Sequence, residues 1–235
     1  MTGGARRIGA AITRELHRRG CRVWIHHHSG VDAASSLRDE LNALRPDSAL
    51  LCRADLCEPD APFRLAEQVL AETPVISLLV NNASRFFPTP LGSVTPEAWR
   101  ELMGSNVRGA FFLSQALLPA LSDGAIVNIL DIHAERPQAG HAVYCMAKSA
   151  LAMMTRSLAL DLAPSIRVNG VAPGAILWPS QEPTDQHKQT ILQNTPLARL
   201  GTPDDVAEAV AWLGLDAAYV TGQVLAVDGG RSLNI

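Results

Sequence analysis

The chain has few charged and few aromatic residues. Of its 235 residues, 18% are Asp, Glu, Lys or Arg and 5% are aromatic, whereas 47% are hydrophobic. Such a composition excludes a disordered chain and predicts many buried segments. The 20 basic and 23 acidic residues leave a net charge of −3, so the overall basic charge of a nucleic-acid-binding protein is lacking. Neither an apolar run of membrane-spanning length nor a secretory signal pattern is found, so we expect a cytoplasmic protein.

Cysteine is also scarce. The four cysteines form no C-x-x-C pair and have no nearby histidines at the spacing of zinc ligands; they are Cys21, Cys52, Cys57 and Cys145. We therefore expect free thiols, buried or half-buried, in a reducing compartment. A chain of this length buries roughly 70% of its unfolded surface and needs no disulfide or metal to hold it together.

Short apolar segments alternate with longer amphipathic ones. The predicted strands are Cys21–His27, Ala49–Ala54, Val75–Val80, Ala125–Leu130, Ile166–Val171 and Val224–Val227. The predicted helices are Arg7–Arg19, Ala33–Leu44, Pro62–Ala71, Pro96–Leu121, Ala142–Leu162 and Pro203–Leu213. The alternation predicts one α/β domain, residues 1–235, with a doubly wound parallel sheet of the Rossmann type and helices on both faces. The longest irregular stretch is Pro173–Gln186, and loops of that length are usually functional or mobile.

The beginning of the sequence departs from this pattern. A glycine-rich turn starts at Thr2, although such a turn normally follows a strand, and only Met1 precedes it. Either the first strand is absent from the sheet, or the start of the chain was assigned too late. We favour the second interpretation, because a missing central strand exposes two sheet edges. An apolar strand of about five residues upstream would complete the sheet.

Residues Thr2–Gly9 predict a phosphate-binding turn. Gly3 and Gly4 allow tight backbone geometry, and Gly9 allows close packing of helix and sheet. The free N–H groups of the following helix would face a pyrophosphate. The alternative is an ordinary strand-to-helix turn. The expected cofactor contacts in this segment are Gly3, Arg6, Arg7 and Ile8, and Arg7 stands where many such turns have a third glycine.

The end of the second predicted strand indicates which nicotinamide cofactor is used. It reads His26-His27-His28-Ser29 and lacks the acidic residue that holds a free ribose hydroxyl in NAD-binding sites. Basic and polar groups can surround the 2′-phosphate of NADPH instead; they are Arg6, Arg7, His28 and Ser29. A metal site is disfavoured because adjacent strand residues point to opposite faces. Asp55, followed by Leu56, is expected beside the adenine, or else it caps a turn.

Tyr144 and Lys148 form a candidate catalytic pair. They lie four residues apart in a predicted helix and therefore share one face. A nearby ammonium favours the ionised phenol and is expected to lower the pKa of Tyr144. Such a tyrosine can pass a proton to a carbonyl or an imine as hydride arrives.

Together these segments resemble the short-chain dehydrogenase/reductase family over essentially the whole chain. The matching pieces are Thr2–Gly9, Asn81-Asn82-Ala83, Asn106, Tyr144-x-x-x-Lys148, Pro173-Gly174 and Asp228-Gly229-Gly230. The resemblance implies that Asn81 supports the turn beside the cofactor, that Asn106 holds a water linking Lys148 to solvent, and that Lys148 bonds the nicotinamide ribose. It also implies cofactor contacts at Ala83, Ser84, Tyr144, Pro173 and Gly174. It further implies a homotetramer built from the helices Pro96–Leu121 and Ala142–Leu162.

Asp131 departs from the family pattern. It lies thirteen residues before Tyr144, where the family usually has a serine that hydrogen-bonds the substrate carbonyl. An ionised carboxylate only accepts hydrogen bonds, so it suits a substrate with N–H donors, or it must carry a proton itself. Burial beside an apolar ring can raise the pKa of an aspartate enough for it to donate. The alternative is a structural aspartate in a modified or inactive site.

Further departures resemble the pteridine reductase branch of that family. They are Arg7 in place of a glycine, the histidines at the strand end, Asn82-Ala83-Ser84-Arg85-Phe86-Phe87-Pro88-Thr89-Pro90-Leu91, and Asp131. The substrate contacts that this resemblance implies are Arg7, Ser84, Phe86, Asp131 and Tyr144. Phe86 would stack on a flat heterocycle, or it only packs the loop. Ser29 departs from the branch, which often has arginine there. Trp178 closes over the site or is an exposed packing residue.

The resemblance implies an NADPH-dependent reductase of dihydropterins, with dihydrofolate as a second candidate substrate. The catalytic residues would be Asn106, Asp131, Tyr144 and Lys148. One alternative is a short-chain carbonyl reductase acting on an acyl thioester or a sugar ketone. Another is a nucleotide-binding protein without turnover. No nucleic acid, membrane or metal is expected as a partner.

Overall fold

The computed structural model describes residues 1–121, 123–178 and 184–234, with His187 described by its backbone alone. Within these ranges the strands are β1 Val23–His27, β2 Ala49–Arg53, β3 Leu78–Asn81, β4 Ala125–Ile129, β5 Arg167–Pro173 and β6 Val224–Val227. Every strand pairing is parallel: β1 pairs with β2, and the other four follow the order β3-β4-β5-β6. The predicted α/β fold with a parallel sheet is confirmed.

Apolar residues from both faces of this sheet form the core. One cluster includes Ile12, Ile25 and Val210, each at most 1% exposed, and a second on the other face includes Leu113 and Ile126. Layers on both faces explain why the strands are almost continuously apolar in sequence. The helices are α1 Arg7–Arg18, α2 Val31–Leu44, α3 Ala61–Glu72, α4 Pro96–Met103, α5 Gly109–Leu117, α6 Ala142–Asp161, α7 Asp185–Gln193 and α8 Pro203–Ala211. Among the described residues, no helix is long and apolar enough to span a bilayer.

The sheet is interrupted between β1 and β3. Met1 and Thr2 bridge the two strands: the Met1 amino group donates to Trp24 O at 3.1 Å, and Thr2 N donates to Val80 O at 2.9 Å. Beyond them lies a cavity of about 240 Å³ with a largely apolar lining that includes Leu79. Burial in this cleft lowers the pKa of the Met1 amino group. The interruption expected from the sequence is therefore present, one strand wide.

The prediction of one continuous helix over Pro96–Leu121 is wrong. A π-helical turn at Gly104–Arg108 separates α4 from α5, and a short 3₁₀ turn follows at Leu118–Ala120. Ser105 Oγ donates to Glu101 O at 2.8 Å, and Asn106 Nδ2 donates to Leu102 O at 2.9 Å. These side chains hydrogen-bond carbonyls that belong to the helix backbone, and such competition commonly bends or widens a helix.

The irregular stretch expected over Pro173–Gln186 is shorter than predicted. Pro173 is the last residue of β5, and α7 begins at Asp185. Residues 179–183 lie outside the described part of the chain. The four cysteines are free thiols, two of them buried and two half-buried, as the sequence predicts.

Candidate active site

The glycine turn brings the start of the chain against the ends of β1 and β3. A Cβ on Gly9 would lie 2.1 Å from Gly3 O, so no larger residue fits there. Arg7 has a φ of 51°, in the left-handed region where related turns use glycine. The turn leads directly into α1, which has no acidic residue in its first turn. Its N-terminus is therefore open to an anion.

Asn82, and not Asn81, holds this turn. Asn82 Nδ2 donates to Thr2 O and Gly3 O, each at 3.0 Å. Asn81 Nδ2 instead donates to Ser114 Oγ at 3.1 Å and to Asn128 Oδ1 at 2.9 Å, inside the core. The role implied for Asn81 is therefore corrected. The Asn81-Asn82 pair in the sequence could have predicted this difference, because neighbouring residues at a strand end point to opposite sides and only one of the two can reach the turn.

Replacing Asn82 with alanine is expected to lower the free energy of unfolding by about 1–3 kcal/mol, since two backbone carbonyls lose their donor. Thermal melts would measure the loss. The matched control is Asn234→Ala, at an exposed residue near the C-terminus. Equal melting temperatures for the two variants would contradict the role given to Asn82.

A cavity of about 450 Å³ extends from the glycine turn past the end of β1. Its lining includes most of the predicted cofactor contacts: Gly3, Arg6, His28, Ser29, Asp55, Leu56, Ala83 and Ser84. Arg7 and Ile8 do not line it. The cavity lies between the N-terminus of a helix and the ends of two strands, which is where dinucleotides bind in folds of this type.

Two of the polar residues that line this cavity, His26 and Asp55, are also hydrogen-bonded within the protein. His26 Nδ1 accepts from Gly3 N at 3.1 Å while Nε2 lies 3.1 Å from Ala54 O, so both ring nitrogens are used within the protein. Burial lowers the pKa of His26 to about 4. Asp55 Oδ1 accepts from Cys57 N at 3.0 Å, so it caps a turn as well as facing the cavity. Burial opposes ionisation of Asp55, but this bond and the charges of His28 and Arg85 lower its pKa overall.

Asp131 and Tyr144 are joined directly. The Tyr144 hydroxyl donates to Asp131 Oδ2 at 2.7 Å, and Asp131 Oδ1 accepts from His133 N at 2.9 Å. Asp131 follows the carboxyl end of β4, while Tyr144 and Lys148 are buried in α6. The structure thus brings together three of the four predicted catalytic side chains, and the two donated bonds identify Asp131 as an acceptor.

The expected effect of Lys148 on Tyr144 is wrong for this arrangement. Burial raises the pKa of Tyr144, and the adjacent Asp131 raises it further. Lys148 Nζ donates to Ile129 O at 2.9 Å and lies 5.7 Å from the centroid of the Tyr144 ring. Burial lowers the pKa of Lys148 to about 8. The phenol is therefore neutral and holds a proton that it can give away.

Removing the Asp131 charge is expected to lower the pKa of Tyr144 by about one unit or more, because a like charge no longer opposes the phenolate. The chain has two tyrosines, so in a Tyr219→Phe background the ultraviolet absorbance of phenolate reports Tyr144 alone. Asp131→Asn would be titrated in that background beside Asp39→Asn, at an exposed residue of α2. An unchanged or higher pKa in Asp131→Asn would contradict the direct coupling.

Asn106 anchors the loop before α4. Its Nδ2 donates to Arg85 O at 3.0 Å, and its Oδ1 accepts from Ser84 Oγ at 2.6 Å. In the described part of the chain, none of its hydrogen bonds reaches Lys148. The water-mediated relay implied for Asn106 stays a prediction, whereas its role in holding Ser84 in place is directly visible.

Phe86 packs beside Tyr144, the candidate catalytic tyrosine. Its ring stacks on His141 at 4.6 Å and 8°, and it meets Tyr144 edge to face at 4.8 Å. Phe86 is 53% exposed, so the packing on His141 accounts for only part of its surface. The sequence did not predict His141 here, although its position three residues before Tyr144 was a signal. The Trp178 carbonyl accepts hydrogen bonds from Nη1 and Nη2 of Arg7, each at 3.5 Å.

Comparison with known proteins agrees with this geometry. A family model described as enoyl-(acyl carrier protein) reductase matches residues 3–232. The granaticin polyketide synthase putative ketoacyl reductase 2 of Streptomyces violaceoruber is 37% identical, and the match covers 99% of this chain and 95% of that protein. Pteridine reductase 1 of Leishmania tarentolae is 34% identical, and the match covers 99% of this chain and 95% of that protein.

Solved structures give the same result. A blue fluorescent protein from a metagenomic library, in complex with NADPH, aligns with a TM-score of 0.91 and 38% identity, covering 98% of this chain and 95% of its own. A short-chain dehydrogenase/reductase variant from Serratia marcescens aligns with a TM-score of 0.92 and 31% identity, covering 98% and 96%. The chain belongs to the short-chain dehydrogenase/reductase family of oxidoreductases.

Proposed function

We propose that this protein is an NADPH-dependent pteridine reductase that reduces a ring C=N bond of dihydropterins, with dihydrofolate as a second substrate. The observation that carries the proposal is the bond from the Tyr144 hydroxyl to Asp131 Oδ2. A carboxylate at this position favours a nitrogen heterocycle over a simple ketone, because it accepts hydrogen bonds from N–H groups and repels a carbonyl oxygen.

The cofactor fits the cavity beside the glycine turn. Gly3 and the open N-terminus of α1 would hold the pyrophosphate, and Arg6, His28 and Ser29 would surround the 2′-phosphate. The structurally similar blue fluorescent protein was solved with NADPH, which supports the same cofactor here. A bound NADPH would supply the hydride that adds to the ring carbon of the C=N bond, and would itself be oxidised to NADP⁺.

The protein supplies the proton. Tyr144 gives its phenolic proton to the ring nitrogen, which completes the addition of one hydride and one proton across the bond. The remaining phenolate would face the Asp131 carboxylate, so it must be reprotonated promptly. Lys148 is suited to this because its pKa of about 8 lets it carry a proton or release one near neutral pH.

The substrate walls come from the loop after β3. Phe86 offers an aromatic surface next to Tyr144, and Ser84 is held at the mouth of the cofactor cavity by Asn106. A flat bicyclic ring suits such a wall because aromatic faces stack at close distance. Arg7 and Trp178 would close the open side. The similarity to Leishmania tarentolae pteridine reductase 1 supports this substrate class.

A ketoacyl reductase is the second candidate, favoured by the similarity to the polyketide synthase protein. Asp131 disfavours this activity. It stands where the family usually has a serine, and its carboxylate cannot donate a hydrogen bond to a ketone oxygen as the serine hydroxyl can. A nucleotide-binding protein without turnover is a third possibility, which measurable reduction of any substrate would exclude.

We also propose a single cytoplasmic domain that assembles as a homotetramer through α5 and α6. These helices carry apolar residues in contact with solvent: Phe111 is 37% exposed, Met153 is 59% exposed and Leu160 is 82% exposed. An exposed apolar surface of this kind commonly marks an interface. Sedimentation of the purified protein would give its oligomeric state.

Initial rates of NADPH consumption test the reductase proposal. The substrates would be dihydrobiopterin, dihydrofolate and ethyl acetoacetate, each measured with NADPH and with NADH. We expect dihydrobiopterin to be reduced fastest, and NADPH to be preferred. Turnover of ethyl acetoacetate without turnover of either pterin would overturn the proposal in favour of an ordinary carbonyl reductase.

A further inference from the structure

The cavity beside the glycine turn contains a carboxylate that opposes a negatively charged ligand. Among the described residues that line this cavity, Asp55 is the sole acid. Burial disfavours its ionised form, but the hydrogen bond from Cys57 N and the charges of His28 and Arg85 lower its pKa overall. Asp55 is therefore ionised at neutral pH. Because like charges repel strongly at short range in a partly buried site, NADPH can bind well only if this charge is offset.

Arg85, in the loop after β3, supplies a cation beside this carboxylate. It lines the same cavity, and its Nη2 lies 3.7 Å from Asp55 Oδ2. His28 Nε2 lies 3.5 Å from the same oxygen, while Asp55 Oδ1 accepts from Cys57 N at 3.0 Å. A histidine is charged only when it is protonated, whereas an arginine is charged at every accessible pH. Arg85 is therefore the permanent counter-charge of Asp55.

Two contacts from the segment α4 to Arg108 hold Arg85 in this position. Its Nη1 donates to Glu101 Oε1, and its backbone carbonyl accepts from Asn106 Nδ2 at 3.0 Å. Glu101 is not among the residues that line the cavity, so the carboxylate that Arg85 meets inside the cavity is that of Asp55. The Arg85 side chain is 35% exposed and that of Asp55 28%, so solvent screens the two charges only in part.

We propose that Arg85 sets the preference for NADPH over NADH by neutralising Asp55 inside the cofactor cavity. Arg85 is then a positioning residue, which acts through Asp55 and not by contact with the cofactor. This inference rests on the cofactor of the proposed function. The 2′-phosphate gives NADPH up to two negative charges more than NADH, so an uncompensated Asp55 would weaken NADPH binding more than NADH binding. The proposed contacts of this phosphate line the same cavity; they are Arg6, His28 and Ser29.

The test measures the Kd of NADPH and of NADH by titration calorimetry, without substrate. We expect Arg85→Met to raise the Kd of NADPH about tenfold and the Kd of NADH about threefold or less, as one uncompensated charge in a partly solvated cavity does. Arg85→Lys should keep most of the preference because it keeps the charge. The double variant Arg85→Met/Asp55→Asn should recover the wild-type ratio of the two Kd values, since neither charge remains. Such non-additivity is the signature of two coupled residues.

The matched control is Arg100→Met, at an exposed arginine of α4 that pairs with Glu97. It should leave the ratio of the two Kd values unchanged, and NADH binding shows that each variant is folded. Arg85→Gln replaces Arg85→Met if the latter does not fold.

An unchanged ratio in Arg85→Met would overturn the role of Arg85. A lost preference that Asp55→Asn does not restore would overturn it too, because Arg85 would then act on the cofactor directly. Both results leave the proposed function standing. A wild type that binds NADH as tightly as NADPH would overturn the proposed cofactor preference together with this inference.

Discussion

Replacing Tyr144 with phenylalanine is expected to lower kcat for dihydropterin reduction by about a thousandfold, within the range that general acids contribute. The variant keeps the ring that contacts Phe86 and loses only the hydroxyl that donates to Asp131 at 2.7 Å. Proton delivery to the ring nitrogen then depends on solvent. Because Tyr144 does not line the cavity beside the glycine turn, NADPH affinity should change little. Steady-state rates and fluorescence titration with NADPH measure the two effects separately.

The control for this variant is Tyr219→Phe, which removes the other tyrosine of the chain, a fully exposed one. It should retain wild-type kinetics and stability. A Tyr144→Phe enzyme with more than a tenth of wild-type kcat would show that another group delivers the proton.

Replacing Asp131 with serine is expected to exchange one substrate class for another. The serine hydroxyl can donate to a carbonyl oxygen, which the carboxylate cannot. We expect kcat/KM for dihydrobiopterin to fall about a hundredfold and kcat/KM for ethyl acetoacetate to rise. The loss of a negative charge beside the phenol should also lower the pKa of Tyr144, so the alkaline limb of the pH-rate profile should move to lower pH.

Asp39→Ser, at an exposed residue of α2, is the matched control for loss of one carboxylate. It should change neither substrate preference nor the pH profile. If Asp131→Ser reduces both substrates as the wild type does, Asp131 has a structural role only. Its acceptance of a hydrogen bond from His133 N would then be that role.

Much of this architecture follows from sequence periodicity. All six strands of the described residues lie within a few residues of their predicted positions because each is a short apolar run. The Tyr144–Lys148 spacing and the placement of Asp131 after a strand were enough to bring those side chains to one edge of the sheet. The interrupted sheet was also predictable, since a glycine turn without a preceding strand leaves two strand edges apart.

The rest depends on contacts between segments far apart in sequence. The π-helical turn arises because Ser105 and Asn106 hydrogen-bond backbone carbonyls, which hydrophobic periodicity does not report. The pKa of Tyr144 was predicted in the wrong direction because burial and the adjacent Asp131 both raise it, and the Tyr144–Lys148 spacing reports neither effect.

The most direct test of the central claim follows the hydride itself. The wild-type protein would be incubated with dihydrobiopterin and NADPH deuterated at the transferable positions of the nicotinamide, and the product would be examined by mass spectrometry and NMR. The account predicts tetrahydrobiopterin carrying one deuterium on the carbon of the former C=N bond. Unreacted dihydrobiopterin, in a preparation that transfers deuterium to ethyl acetoacetate, would contradict it.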